Sequence, residues 1–111
     1  YWVQNTRAIY RPRLAAGDYD LMRPLFRMYA DILRENEKAV KRFYNHAGSY
    51  IAECAPYWGG IPNLTPDMPG THTIHYFSPA LELVAMGLDY YAYTGDEEFL
   101  EKTVLPMADL T

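Results

Sequence analysis

Leu21-Met22-Arg23-Pro24-Leu25-Phe26-Arg27-Met28-Tyr29-Ala30-Asp31-Ile32-Leu33, continued through Val40 and Phe43, decides the fold class. Leu21, Leu25, Met28, Tyr29, Ile32, Leu33, Val40 and Phe43 recur at spacings of three, four or seven. Arg23, Arg27, Arg34, Lys38, Lys41 and Arg42, with Asp31, Glu35 and Glu37 among them, fill the remaining positions. On a helix this pattern makes one buried stripe and one wet face, and it predicts a helix from about residue 19 to about 45. Pro24 fits its first turn, where a missing backbone donor costs little. The acidic neighbours make the basic residues a solvated face rather than a binding patch.

Toward the N-terminus, Gly17-Asp18 predicts a stop and a restart. The glycine takes the left-handed conformation that closes one helix, and the aspartate offers an oxygen to the free amides of the next. Ahead of it, Trp2, Ala8, Ile9, Leu14 and Ala15 predict a first helix over about residues 2–16, kinked where Pro12 removes a donor. Tyr1-Trp2-Val3 opens directly on large apolar groups, which is the expectation for a chain entered partway.

Toward the C-terminus, residues 46–78 form a long connector that holds all three histidines, the single cysteine, Tyr57-Trp58-Gly59-Gly60 and an isolated carboxylate at Glu53. Loops longer than about 12–15 residues are usually functional or disordered, and this one is too aromatic for disorder. Ser78-Pro79 then predicts an N-cap and first turn, opening a third helix over about 79–93 that is apolar nearly all round. Such a helix needs cover on most sides. Thr94-Gly95-Asp96 repeats the stop and restart, with Glu97 and Glu98 at the positive end of a fourth helix over about 96–110, where Pro106 predicts a second kink. The expectation is an all-α chain over residues 1–111: two αα-hairpins joined by a long loop, an arc of something larger.

Composition narrows the functions. A chain of 111 residues, half of them apolar, suits one small domain. A formal charge of -4 without a basic block argues against nucleic acid and anionic membrane as partners. No apolar run approaches the roughly 18–20 residues of a bilayer span. Cys54 has no partner for an internal disulfide and reads as a small buried residue. His72-x-x-His75, with His46 and Asp67, has the spacing of half a zinc site. With no second spaced pair, neither metal nor cofactor is expected.

Several stretches together carry a family resemblance: Tyr1-Trp2 through Asn5-Thr6-Arg7, Gly17-Asp18-Tyr19-Asp20-Leu21-Met22, His46-Ala47-Gly48-Ser49-Tyr50-Ile51-Ala52-Glu53, Leu81-Glu82-Leu83, Leu88-Asp89-Tyr90-Tyr91 and Thr94-Gly95-Asp96. In order and spacing they resemble the catalytic (α/α)6 toroid of the six-hairpin glycosidases, and within it bacterial proteins related to the family 95 α-L-fucosidases. The likeness covers nearly the whole chain but only about two of six hairpins.

The resemblance implies a segment of a glycoside hydrolase, inactive in isolation, in an exported parent, periplasmic or extracellular. Inverting chemistry would set two carboxyls roughly 6.5–9.5 Å apart to leave room for water. Glu53 is the first candidate acid and Glu82 the second. Trp2, Asn5, Arg7, His46, Tyr57, Trp58 and His75 are the candidate substrate contacts. From the residues alone, Glu53 has apolar and aromatic neighbours that would raise a carboxyl pKa on desolvation, and Tyr57-Trp58 offers ring faces to a sugar. In an up-and-down bundle, the first and third helices begin at the end where the connector lies, so these residues converge there. The expected partners are a carbohydrate, and either the remaining toroid or identical chains over the apolar third helix. The other reading is a helical binding or assembly module without chemistry.

Overall fold

The computed structural model describes residues 2–61 and 75–111, and four helical rods account for most of them. His72 and Asp67, the other half of the zinc reading, lie outside the described residues. Helix α1 (Val3–Ala16) runs through Pro12 as one element and ends on Gly17 at φ 78°, the left-handed closure its sequence requires. A single 3-10 turn (Tyr19–Leu21) leads into α2 (Arg23–Tyr44), with Pro24 in its first turn as expected. Helix α3 (Ser78–Thr94) closes on Gly95 at φ 65°. The last rod is continuous through α4 (Glu97–Phe99), a π-helical turn (Leu100–Val104) and α5 (Leu105–Leu110).

Three local expectations are corrected. Asp18 does not cap α2, because the 3-10 turn intervenes. Its carboxylate pairs with Arg13 at 3.6 Å instead. Ser78 is the first residue of α3 rather than its cap; that place falls to Phe77, which has no side-chain acceptor. Leu21 belongs to the 3-10 turn, so it leaves the apolar stripe and is exposed, while Met22 and Phe26 enter the core. Asp96 does cap as predicted, accepting the Phe99 amide at 3.0 Å.

The kink expected at Pro106 becomes the π-helical turn just before it. Proline has no amide to donate, and its ring would press on the carbonyl four residues back. The wider turn, closed from the Leu105 amide to the Leu100 carbonyl, relieves that crowding. The same segment packs closely on α3. A Cβ on Gly87 would meet Val104 Cγ2 at 2.9 Å, so the glycine sets how near the two rods come.

The side-chain contacts fix the directions of the rods. Arg7 near the start of α1 meets Glu82 near the start of α3, and Tyr19 just past the end of α1 meets Tyr90 and Tyr93 near the end of α3, so these two run parallel. Arg23, at the start of α2, reaches Tyr90 and Asp96 at the end of α3, so α2 runs the other way. The core lies between, with Met22, Phe26, Tyr29, Ile51, Leu83, Met86, Tyr90 and Met107 almost fully buried. At the Gly-Asp end it is aromatic. The rings of Phe26, Tyr90 and Phe99 stand 4.5–5.7 Å apart between centroids, and Tyr19 closes on Tyr90 edge-on at 6.0 Å.

Helix α3 is not covered as its composition requires. Leu81, Ala85, Leu88 and Ala92 lie on one face of it and are all exposed, Leu81 by 65%.

Candidate functional site

The connector leaves α2 through Asn45, a left-handed closure at φ 51°, and its first half turns back across the open end of the bundle. The Ser49 amide donates to the Leu110 carbonyl at 2.5 Å, and the Ser49 hydroxyl donates to the Leu33 carbonyl at 3.2 Å. This fastens the connector to the last rod and to α2. Four residues on, it runs beside the start of α1. The Val3 amide donates to the Glu53 carbonyl at 2.9 Å, and Trp2 bridges Cys54 in antiparallel fashion.

Glu53 is 5% exposed, and its Oε1 accepts the Gln4 amide at 2.7 Å. The first amides of a helix lack partners within it, and Trp2 at the cap position contributes no side-chain acceptor. Glu53 therefore caps α1 from the other side of the connector, placing a carboxylate at the positive end of the helix dipole.

Glu82 lies nearby on α3. Its Oε1 accepts from Arg7 Nη1, while its Oε2 is buried with no hydrogen-bond partner among the described residues. Gln4 and Arg7 stand three residues apart, about 4.5 Å along the α1 axis. The two carboxylates singled out in the sequence thus address the same end of one helix. Each already has one oxygen engaged, and Arg7 is committed to Glu82.

The aromatic candidates divide. Tyr57 and Trp58 are 71% and 68% exposed, paired edge-to-face at 4.8 Å. Trp2 is also exposed. His46 sits elsewhere on this end, where a cavity of about 290 Å³ is lined by Tyr44, His46, Ser49, Tyr50, Phe77 and Leu110. Its Nδ1 donates to the neighbouring Ala47 carbonyl. His75 and Asn5 are exposed, as is Asp89 two turns beyond Glu82. Among the described residues, no cluster of three or more histidine, cysteine or acidic side chains could hold a metal ion.

Two groups near Glu53 titrate abnormally. Burial first, and then the charges of Tyr44, Glu53 and Cys54, push the Tyr50 phenol up to about 12. Cys54 is half-buried rather than buried as expected; burial, followed by the Glu53 charge, still pushes its thiol up, which disfavours the reactive thiolate.

Chemically, this end offers two exposed aromatic rings and sets two partly engaged carboxylates around one helix start. The sequence reading missed Asn36, which lies fully buried within α2. Its signal was present, since it stands three residues after Leu33 and four before Val40, on the apolar stripe.

Compared with protein-family models, with curated proteins and with solved structures, the chain has no match.

Proposed function

We propose that this chain is part of a carbohydrate-active, (α/α)-toroid domain of the six-hairpin glycosidase type, contributing carboxylates and an aromatic sugar subsite. The observation that carries this reading is the convergence at the open end of the bundle. Glu53 and Glu82 both meet the first two turns of α1, while the connector that bears Glu53 holds Tyr57 and Trp58 out to solvent. A buried carboxylate near a second one is the pairing that glycosidic acid/base chemistry uses. The exposed face of α3 supports the toroid arc, since a ring of hairpins would cover it.

Titration with L-fucose and D-galactose, followed by NMR shifts of the Trp58 and Glu53 signals, tests the binding half. Saturable shifts confined to these residues support it, and unperturbed spectra at high sugar concentration would count against it. For the chemical half, Glu53→Gln in the full-length protein should abolish hydrolysis. Unchanged turnover would leave Glu53 as a helix cap only.

A second reading, a helical assembly module without chemistry, is favoured by one observation, the apolar face of Leu81, Ala85, Leu88 and Ala92 on α3. Leu81→Glu distinguishes the two. Under the assembly reading it disperses oligomers and leaves no sugar response to lose. Under the first, the sugar response persists in the variant.

A further inference from the structure

The connector turns sharply at Pro56-Tyr57-Trp58-Gly59. The Gly59 amide donates to the Pro56 carbonyl at 3.1 Å, leaving the two aromatic residues at the corners of a tight turn. Gly59 and Gly60 follow at φ 81° and 90°, conformations that side chains rarely adopt. Gly59 is pressed against α2, where an added Cβ would meet Glu35 Cβ at 2.9 Å and Asn36 Oδ1 at 3.3 Å. The Gly60 amide donates to Asn36 Oδ1 at 2.7 Å.

Asn36 is an unusual choice for its place. It is wholly buried on the apolar stripe, and its Nδ2 has no hydrogen-bond partner among the described residues. An apolar side chain would fill the position without leaving a buried donor unpaired, which is the costly state for a polar group. What asparagine supplies is an acceptor that holds Gly60. The turn held in this way does not use its rings for packing, since both remain largely in solvent. A turn serving only stability would bury them. Fixing exposed rings before a ligand arrives reduces the ordering cost of binding.

We infer that Asn36 is a positioning residue, which clamps the Tyr57–Trp58 turn to α2 as a rigid ring-stacking platform for a pyranose. The sugar in this statement rests on the carbohydrate reading above; the clamp does not.

The test follows backbone order at Tyr57, Trp58 and Gly60 by NMR relaxation, beside sugar titration. Asn36→Leu keeps the branched shape and the number of heavy atoms, removes the acceptor and relieves the unpaired donor. Its methyls are bulkier than the amide, so the bundle should remain folded with some loss of stability to overpacking, which a thermal melt records. Order parameters at the turn should fall from about 0.85 toward 0.6 or below. Affinity for L-fucose or D-galactose should weaken roughly tenfold as the rings lose their fixed arrangement. Asn36→Asp, which keeps an oxygen for Gly60, should retain both at a pH low enough for the buried carboxyl to be neutral.

A turn equally ordered in wild type and Asn36→Leu would overturn the clamp, as would a turn already loose in wild type. Sugar affinity lost in Trp58→Ala yet retained in a loosened Asn36→Leu would overturn the positioning role. If neither sugar binds wild type while the order parameters behave as expected, the clamp stands and the carbohydrate reading fails.

Discussion

The two ends of this bundle are built on opposite plans. At the Gly-Asp end, Phe26, Tyr90 and Phe99 interlock, and Arg23 bonds both the Tyr90 hydroxyl at 3.0 Å and the Asp96 carboxylate at 2.6 Å. At the connector end, the Glu53 carboxylate is buried beside Tyr50, Ile51 and Ala52, while Tyr57 and Trp58 face the solvent. One end is consolidated by interlocked rings, whereas the other adds to a smaller apolar cluster hydrogen bonds to backbone amides from Glu53 and Asn36. An end held by directed bonds can leave side chains free for recognition, and a close-packed end cannot.

The largest effect should come from breaking the packed end. Phe26→Ala removes a ring from the centre of the aromatic cluster and should cost about 3–5 kcal/mol in denaturant unfolding. A loss under about 1 kcal/mol would mean that the cluster contributes little. At the other end, Glu53→Ala strands the Gln4 amide against a buried cavity and should cost about 1–3 kcal/mol. Glu53→Gln keeps an acceptor and should cost less, and equal losses in the two variants would argue against capping.

The two Gly-Asp turns offer a finer contrast within one end. Asp96 accepts the Phe99 amide, so Asp96→Ala should lower stability by about 1 kcal/mol, the usual worth of a helix cap. Asp18 makes only a long, partly exposed pair with Arg13, so Asp18→Ala should change stability by about 0.5 kcal/mol or less. Matching losses would show that the two turns work alike.

A last contrast concerns alkaline pH at the connector end. The folded state favours the neutral Tyr50 phenol, whose pKa lies near 12 rather than near the ordinary value of 10. Its contribution is therefore complete below about pH 10 and is lost as pH rises from there toward about 12. Tyr50→Phe should flatten that part of the stability profile, and an unchanged slope would assign the loss to other groups.

The helices were legible because periodicity and glycine closures are local signals. Gly17, Gly95 and the stripe from Leu25 to Val40 all behave as read. The cap expected of Asp18 failed because a single 3-10 turn displaced the start of α2, a choice made by tertiary packing of Met22 rather than by the Gly-Asp pair. Ser78 entered the helix itself because Phe77 already turns into the right-handed helical region before it, which nothing in the local sequence signals. At the candidate site, sequence reasoning brought Glu53, Arg7 and Glu82 to one end but could not pair them. Which amide or guanidinium a carboxylate meets depends on how rods pack side by side. Asn36 was hidden for a different reason, since an asparagine in a charged helix reads as part of the wet face until its register is counted.

The bond from Gln4 to Glu53 spans 49 positions of chain, and Ser49 ties to Leu110 from the other direction. The first turn of α1 thus has no acceptor at hand while it is being synthesised or refolded. It can consolidate only after α2 has formed and the connector has come back across it. Amide hydrogen exchange should record this order, with Gln4 protected late in refolding and released early in unfolding, ahead of amides in the middle of α2. A helix whose beginning is finished by a distant part of the chain reports, in one amide, whether the whole assembly has closed.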